Sequence, residues 1–209
     1  MNQTAQIEIV AANVYEAARQ ELVRLGALSN ADSDAILKMV FGEWQRIINS
    51  ERTPAIQADG IVASRRRQPE VPAALAVQLI VVGTILLHRI FDTTPNDSAV
   101  LVCEQIGDNL STKGKRYAPR DEARFDNFIT GAELMQFESP TVCLLSYACK
   151  HVATLGLAWE RKVIDSSVVR ETICDIATYM ILLSAMWECG RAMHERAEAL
   201  RRQANALLA

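Results

Sequence analysis

The sequence predicts an all-α helical bundle, and three observations predict it. Half of the 209 residues are apolar, enough to fill a core and to exclude wholesale disorder. Ala, Leu, Ile, Glu and Arg dominate the long segments, and apolar residues recur in them at helical spacing. The nine Gly and six Pro fall mainly between those segments, where they punctuate helices rather than interrupt them.

A first helix is expected over residues 7–25, stopped by Gly26, a residue type suited to the turn that closes a helix. A second covers 31–50, capped by Asn30 or Asp32. Its Ile36, Met39, Val40, Trp44, Ile47 and Ile48 form one apolar face. Pro54 and Gly60 mark a loop that continues through Arg65, Arg66, Arg67 and Pro69. The third helix, 72–91, is the most apolar. Residues 71–87 carry no charge, yet the run falls short of the roughly 20 apolar residues of a membrane-spanning helix. It also holds Pro72, Gln78 and Thr84 and leads straight into His88 and Arg89. A helix buried in a bundle, with no membrane partner, is the expectation.

Residues 92–97, with Pro95, read as a turn, after which Asp97 or Ser98 caps a fourth helix over 99–112. An irregular basic stretch follows, from Lys113 to Arg120. A short helix is expected over 122–130. Ser139-Pro140 is a strong helix start, because Pro suits the first helical position, and that helix reaches 159. Asp165, Ser166 and Ser167 open the last helix, which runs beyond 192. Its Ala- and Arg-rich end, 194–209, either extends as a tail or packs on a partner chain.

Composition removes some function classes. A net charge of −3 makes the whole chain a poor electrostatic partner for nucleic acid. The five cysteines (Cys103, Cys143, Cys149, Cys174 and Cys189) sit among apolar residues in expected helices, and none forms a C-x-x-C pair. Reduced, buried thiols in a cytoplasmic protein fit this better than a disulfide framework or a zinc site. Residues 1–8 are polar, without the basic region and apolar core of a signal peptide.

Two acidic pairs carry the candidate chemistry. Glu104 and Asp108, and likewise Glu171 and Asp175, are four residues apart in expected helices, so each pair projects two carboxylates from one stripe. The second pair lies among Val168, Val169, Ile173, Ile176 and Ala177, which should face a core. Two readings stay open: a Mg2+ or Mn2+ cage acting on a phosphate-bearing ligand, or solvated and salt-bridged surface acids. In the basic loop, Lys113, Lys115 and Arg116 could hold phosphate oxygens and Tyr117 could stack on a base, or the loop is simply solvated. Lys150, on a mostly apolar helix, wants an acidic neighbour or a phosphate, or else reaches out to water. For its neighbour His151 a structural role is the plainer reading.

In this order, four elements resemble a known pattern. They are Lys113 through Tyr117-Ala118, the pair Asn127-Phe128, the pair Lys150-His151, and Glu171-Thr-Ile-Cys-Asp175-Ile-Ala-Thr-Tyr179. The segment 100–186 that holds them resembles the nucleotide modification associated domain family of bacteriophages, grouped with the all-α, MazG-like NTP pyrophosphatases. It departs from that pattern at Thr178, where Asn is usual, and in having Glu-x-x-x-Asp twice where MazG-type enzymes have Glu-x-x-Glu and Glu-x-x-Asp.

The resemblance implies a Mg2+-dependent nucleotide-handling protein, in the fullest case a (d)NTP pyrophosphohydrolase. Glu104, Asp108, Glu171 and Asp175 would hold metal, with Glu171 and Asp175 catalytic. Lys113, Lys115, Arg116, Tyr117, Asn127 and Lys150 would bind the nucleotide. Residues 96–209 would form the nucleotide-binding domain with a helical tail, and 1–95 an N-terminal helical region of the same bundle or beside it. A homodimer or higher oligomer is implied too. The alternative is a non-enzymatic helical protein that sequesters a nucleotide or binds a partner protein through Arg65–Arg67 and the Arg-rich tail.

Overall fold

The computed structural model describes residues 2–26, 33–52, 68–91, 93–113, 124–161 and 166–208. Within them the chain forms an all-α bundle of seven α-helices: α1 (Gln3–Leu25), α2 (Ser33–Arg52), α3 (Glu70–Phe91), α4 (Pro95–Asp108), α5 (Asp126–Met135), α6 (Pro140–Glu160) and α7 (Ser166–Leu208). A π-helical turn, Asn109–Lys113, continues α4.

The helix boundaries have local causes. The side chain of Asn2 accepts from the Ala5 N–H and starts α1 earlier than apolar spacing alone indicates. Gly26 closes α1 at a φ of 63°, which a side chain would disfavour. Pro95, expected in a turn, is instead the first residue of α4. Thr94 caps it by accepting from the Asp97 N–H at 3.2 Å, and proline's fixed φ suits the first turn. Ser139 caps α6 in the same way, accepting from the Val142 N–H with Pro140 just inside. The short helix after the basic stretch runs to Met135, past the expected 130. It ends where Gln136 takes a left-handed φ of 54°.

Helix α3 is the axis of the bundle. It packs against α1, α2, α4 and α7, and Leu75, Ala76, Leu79, Ile80 and Val82 are fully buried. A Cβ on Gly83 would sit 3.1 Å from Ile173 of α7 and 3.5 Å from Val102 of α4, so the missing side chain allows the three helices to approach. Ile173, Cys174, Ala177, Met180, Ile181 and Leu183 line α7 with no exposure, and one core cluster draws on residues from both 1–95 and 96–209. At about 1.5 Å per residue, the 43 residues of α7 span roughly 65 Å.

Helix α6 packs on α5, α7 and, more lightly, α2. Phe41 of α2 stacks on Trp159 at 5.5 Å between ring centroids, and the Thr141 hydroxyl donates to Glu51 at 2.9 Å. Among the described residues α3 and α6 are long and apolar enough to cross a membrane. Most of the α3 stretch is buried within the bundle, the pattern of a core helix.

Candidate functional site

Helices α5, α6 and α7 and the end of α4 enclose a cavity of about 500 Å³. Its size suits a small organic ligand. The wall from α4 is the start of the π-helical turn, Asn109 and Leu110. Such turns insert a residue into the helical ladder and turn side chains that a regular helix would space differently. Arg124, Asn127 and Phe128 come from α5 and the two residues before it, and Tyr147, Lys150 and His151 come from α6. Helix α7 supplies Asp175, Thr178, Tyr179 and Leu182, which recur at helical spacing on one stripe.

A polar network ties α4 to α7 at the floor. Asn109, 4% exposed, donates through Nδ2 to Asp175 Oδ1 at 3.1 Å and to the Thr178 hydroxyl at 3.4 Å. The Thr178 hydroxyl in turn donates to the Cys174 carbonyl at 2.7 Å. The other oxygen of Asp175 faces His151 Nδ1 at 3.4 Å, a charged pair whenever the imidazole is protonated. The ring of Tyr179 leans on His151, 5.8 Å between centroids. On the opposite wall Tyr147 tilts against Phe128 at 6.1 Å.

Arg124 is almost fully buried and donates through Nη2 to the Leu110 carbonyl at the π-helical turn. Next to it, the Phe125 N–H donates to Gln3 Oε1 at 2.9 Å, which anchors the start of α5 to the start of α1. Lys150 stands exposed at the mouth. Among the described residues the lining therefore sets two basic side chains, Arg124 and Lys150, against one carboxylate, Asp175, an excess that favours an anionic ligand.

Of the residues singled out from sequence, Asn127, Lys150 and Asp175 meet in this cavity although they lie on three different helices. Glu104, Asp108 and Glu171 do not line it and are exposed. Val102 and Ile106 are the buried face of α4, and Glu104, two residues from Val102, falls on the far side of that helix. Among the described residues no group of three His, Cys, Asp or Glu side chains is arranged to hold a metal ion. The side chain of Lys113, and Lys115, Arg116 and Tyr117 altogether, lie outside the described residues, as do Arg65–Arg67 and the side chains of the tail.

Sequence reasoning missed Asn109, Arg124 and Tyr147. One signal existed for Asn109: a poor helix former inside an otherwise regular helical pattern. Arg124 carried none beyond its place three residues before Asn127. No family model, curated protein or solved structure matches the chain.

Proposed function

We propose that the chain binds a nucleotide in the cavity between α5, α6 and α7. One observation carries the reading: Asn127, Lys150 and Asp175, distant in sequence and drawn from separate motif elements, line one 500 Å³ cavity. The chemistry of the walls supports it. Lys150 at the mouth and buried Arg124 suit phosphate oxygens, since both are basic and guanidinium in particular forks onto such groups. Phe128, Tyr147 and Tyr179 offer flat apolar surface to a base. The resemblance to phage nucleotide modification proteins points to the same ligand class.

The donor set does not fit a resident Mg2+ cage. Magnesium takes six oxygens in near-ideal octahedral geometry. Only Asp175 of the four candidate carboxylates lines the cavity, and its two oxygens already face Asn109 and His151. The cavity suits binding, which favours the nucleotide-sequestering alternative over the pyrophosphohydrolase.

Calorimetric titration of the full chain with nucleoside triphosphates, once with Mg2+ and once with EDTA, tests it. Binding in EDTA at micromolar or better affinity is expected. Absence of heat for every nucleotide contradicts the reading, and pyrophosphate release in Mg2+ replaces it with a catalytic one.

A further inference from the structure

Helix α7 outlasts the bundle that it crosses. It runs for 43 residues, whereas α1, the longest of the helices packed on it, has 23. The stretch of α7 that belongs to the core cluster, 169–189, is about as long as those neighbours. Gly190, the next residue, is exposed, and nothing lies within 4 Å of a Cβ built on it. The helix continues unbroken to Leu208, an arm of roughly 28 Å past the core at about 1.5 Å per residue.

The arm carries a seven-residue repeat. Gly190-Arg-Ala-Met193, Ala197-Glu-Ala-Leu200 and Ala204-Asn-Ala-Leu207 follow one another at intervals of seven. Each unit has a small residue in its first place and a large apolar one in its fourth. Steps of three and four alternate, so these six positions share one stripe of the helix. A stripe at that spacing is the seam along which two helices coil around each other.

The repeat is complementary to itself in one orientation. In an antiparallel pair, the first place of one helix shares a layer with the fourth place of the other. In a single register Gly190 meets the partner's Leu207, Ala197 the partner's Leu200 and Ala204 the partner's Met193. Two-fold symmetry then repeats the three layers. Every layer holds one small and one large residue, which fills the seam evenly. A parallel pair would set Gly190 and both alanines against their own copies and leave gaps between layers of paired leucines. Charge agrees. In a parallel pair Arg196 would face the partner's Arg201, twice over. In the antiparallel pair Arg196 faces the partner's Gln203, and Arg201 faces the partner's His194.

We infer that the end of α7 is a dimerisation arm and that its partner is a second copy of this chain, paired antiparallel along the seam from Gly190 to Leu207. The pairing goes beyond nucleotide binding and does not depend on it.

Sedimentation equilibrium of the full chain, without nucleotide, is the test. So short a seam lies at the small end of protein interfaces, so a monomer–dimer equilibrium with a Kd on the order of 10 µM is expected. Leu200→Glu sets a carboxylate into two layers and should weaken the dimer at least about hundredfold while the bundle still melts as before. Arg202→Gln, at a position away from the seam, should leave the Kd within about threefold. Disulfides report the orientation in a Cys149→Ser background, which lacks the exposed native thiol. Chains with Ala197→Cys and chains with Leu200→Cys should crosslink when mixed, and Ala197→Cys alone should not. A chain that stays monomeric well above the expected Kd, or a dimer that survives Leu200→Glu, overturns the inference. So does a disulfide between two Ala197→Cys chains, or a mixture that forms none.

Discussion

Asn109 and Asp175 are 66 residues apart in sequence and meet side chain to side chain at 3.1 Å, where the π-helical end of α4 crosses α7. The contact does two things. It closes the interface between the two helices, and it fixes the orientation of the Asn109 amide.

The structural part of that contact can be separated from the binding part. Asp175→Asn keeps an acceptor for Asn109 and should lower unfolding free energy by under about 1 kcal/mol. Asp175→Leu leaves the amide with Thr178 alone and should cost about 1–3 kcal/mol. Urea denaturation of both variants measures the difference. Equal stability would mean the bond adds nothing to the fold.

Lys150 is exposed, so its removal should leave the melting temperature within about a degree, as for most surface changes. If it holds phosphate, Lys150→Gln should weaken triphosphate binding by about tenfold, within the range for a hydrogen bond to a charged group, and leave the matching nucleoside unaffected. Its effect should also shrink at high salt, because the charge is screened there. A uniform loss for nucleoside and nucleotide would place Lys150 against the base instead.

Two glycines should respond in opposite directions to alanine. Gly42 is exposed within α2 and nothing lies within 4 Å of its missing Cβ, so Gly42→Ala should stabilise by roughly 0.5–1 kcal/mol. A Cβ on Gly131 of α5 would sit 2.8 Å from Cys143 Sγ and 3.3 Å from the Tyr147 hydroxyl. Gly131→Ala should therefore destabilise by roughly 1–3 kcal/mol, and Cys143→Ala in that background should recover part of it. Thermal melts of the three variants check the signs.

Of the five cysteines Cys149 alone is exposed, and it should take up one equivalent of a maleimide at neutral pH well before the others react. Burial pushes the Cys103 thiol up to about 11 from an ordinary value of 9. Burial also pushes the Tyr15 phenol, which lies near Cys103, well above its usual value. Both groups bind their protons more tightly in the folded chain than in the unfolded one. The Cys103 contribution to stability is therefore complete below about pH 9 and is lost as pH rises toward about 11, whereas that of Tyr15 is complete below about pH 10 and is lost at more alkaline pH still. Cys103→Ala should flatten that alkaline loss, which denaturation midpoints between pH 8 and 11 would record.

The bundle was legible because its signals are local. Gly26 and Ser139-Pro140 mark helix ends through bonds to residues within a turn, and the apolar periodicity of α2 and α7 reports the faces that pack. Pro95 was misread because a proline after Thr94 serves a turn and a helix start equally well; the cap bond to Asp97 decides between them. The site was legible only in part. Asn127, Lys150 and Asp175 stand in motif-like settings, but an i,i+4 acidic pair looks the same whether its stripe faces a cavity or water, as Asp175 and Asp108 respectively do. Asn109 gave little sign of its part because its partners, Asp175 and Thr178, lie 66 and 69 residues away. Arg124 finds its carbonyl partner in Leu110, 14 residues back, which no helical spacing anticipates.

The most direct test of the central claim asks where a nucleotide sits. The chain has three histidines, His88, His151 and His194, and only His151 lines the cavity among the described residues. With ring-labelled histidine, a proton–carbon NMR spectrum has one signal per imidazole. Titration with a nucleoside triphosphate in EDTA should move or broaden the His151 signal, assigned by His151→Gln, and leave that of His88 in place. Saturable binding that shifts His88 while His151 stays fixed would contradict the account, because the ligand would then occupy another part of the molecule.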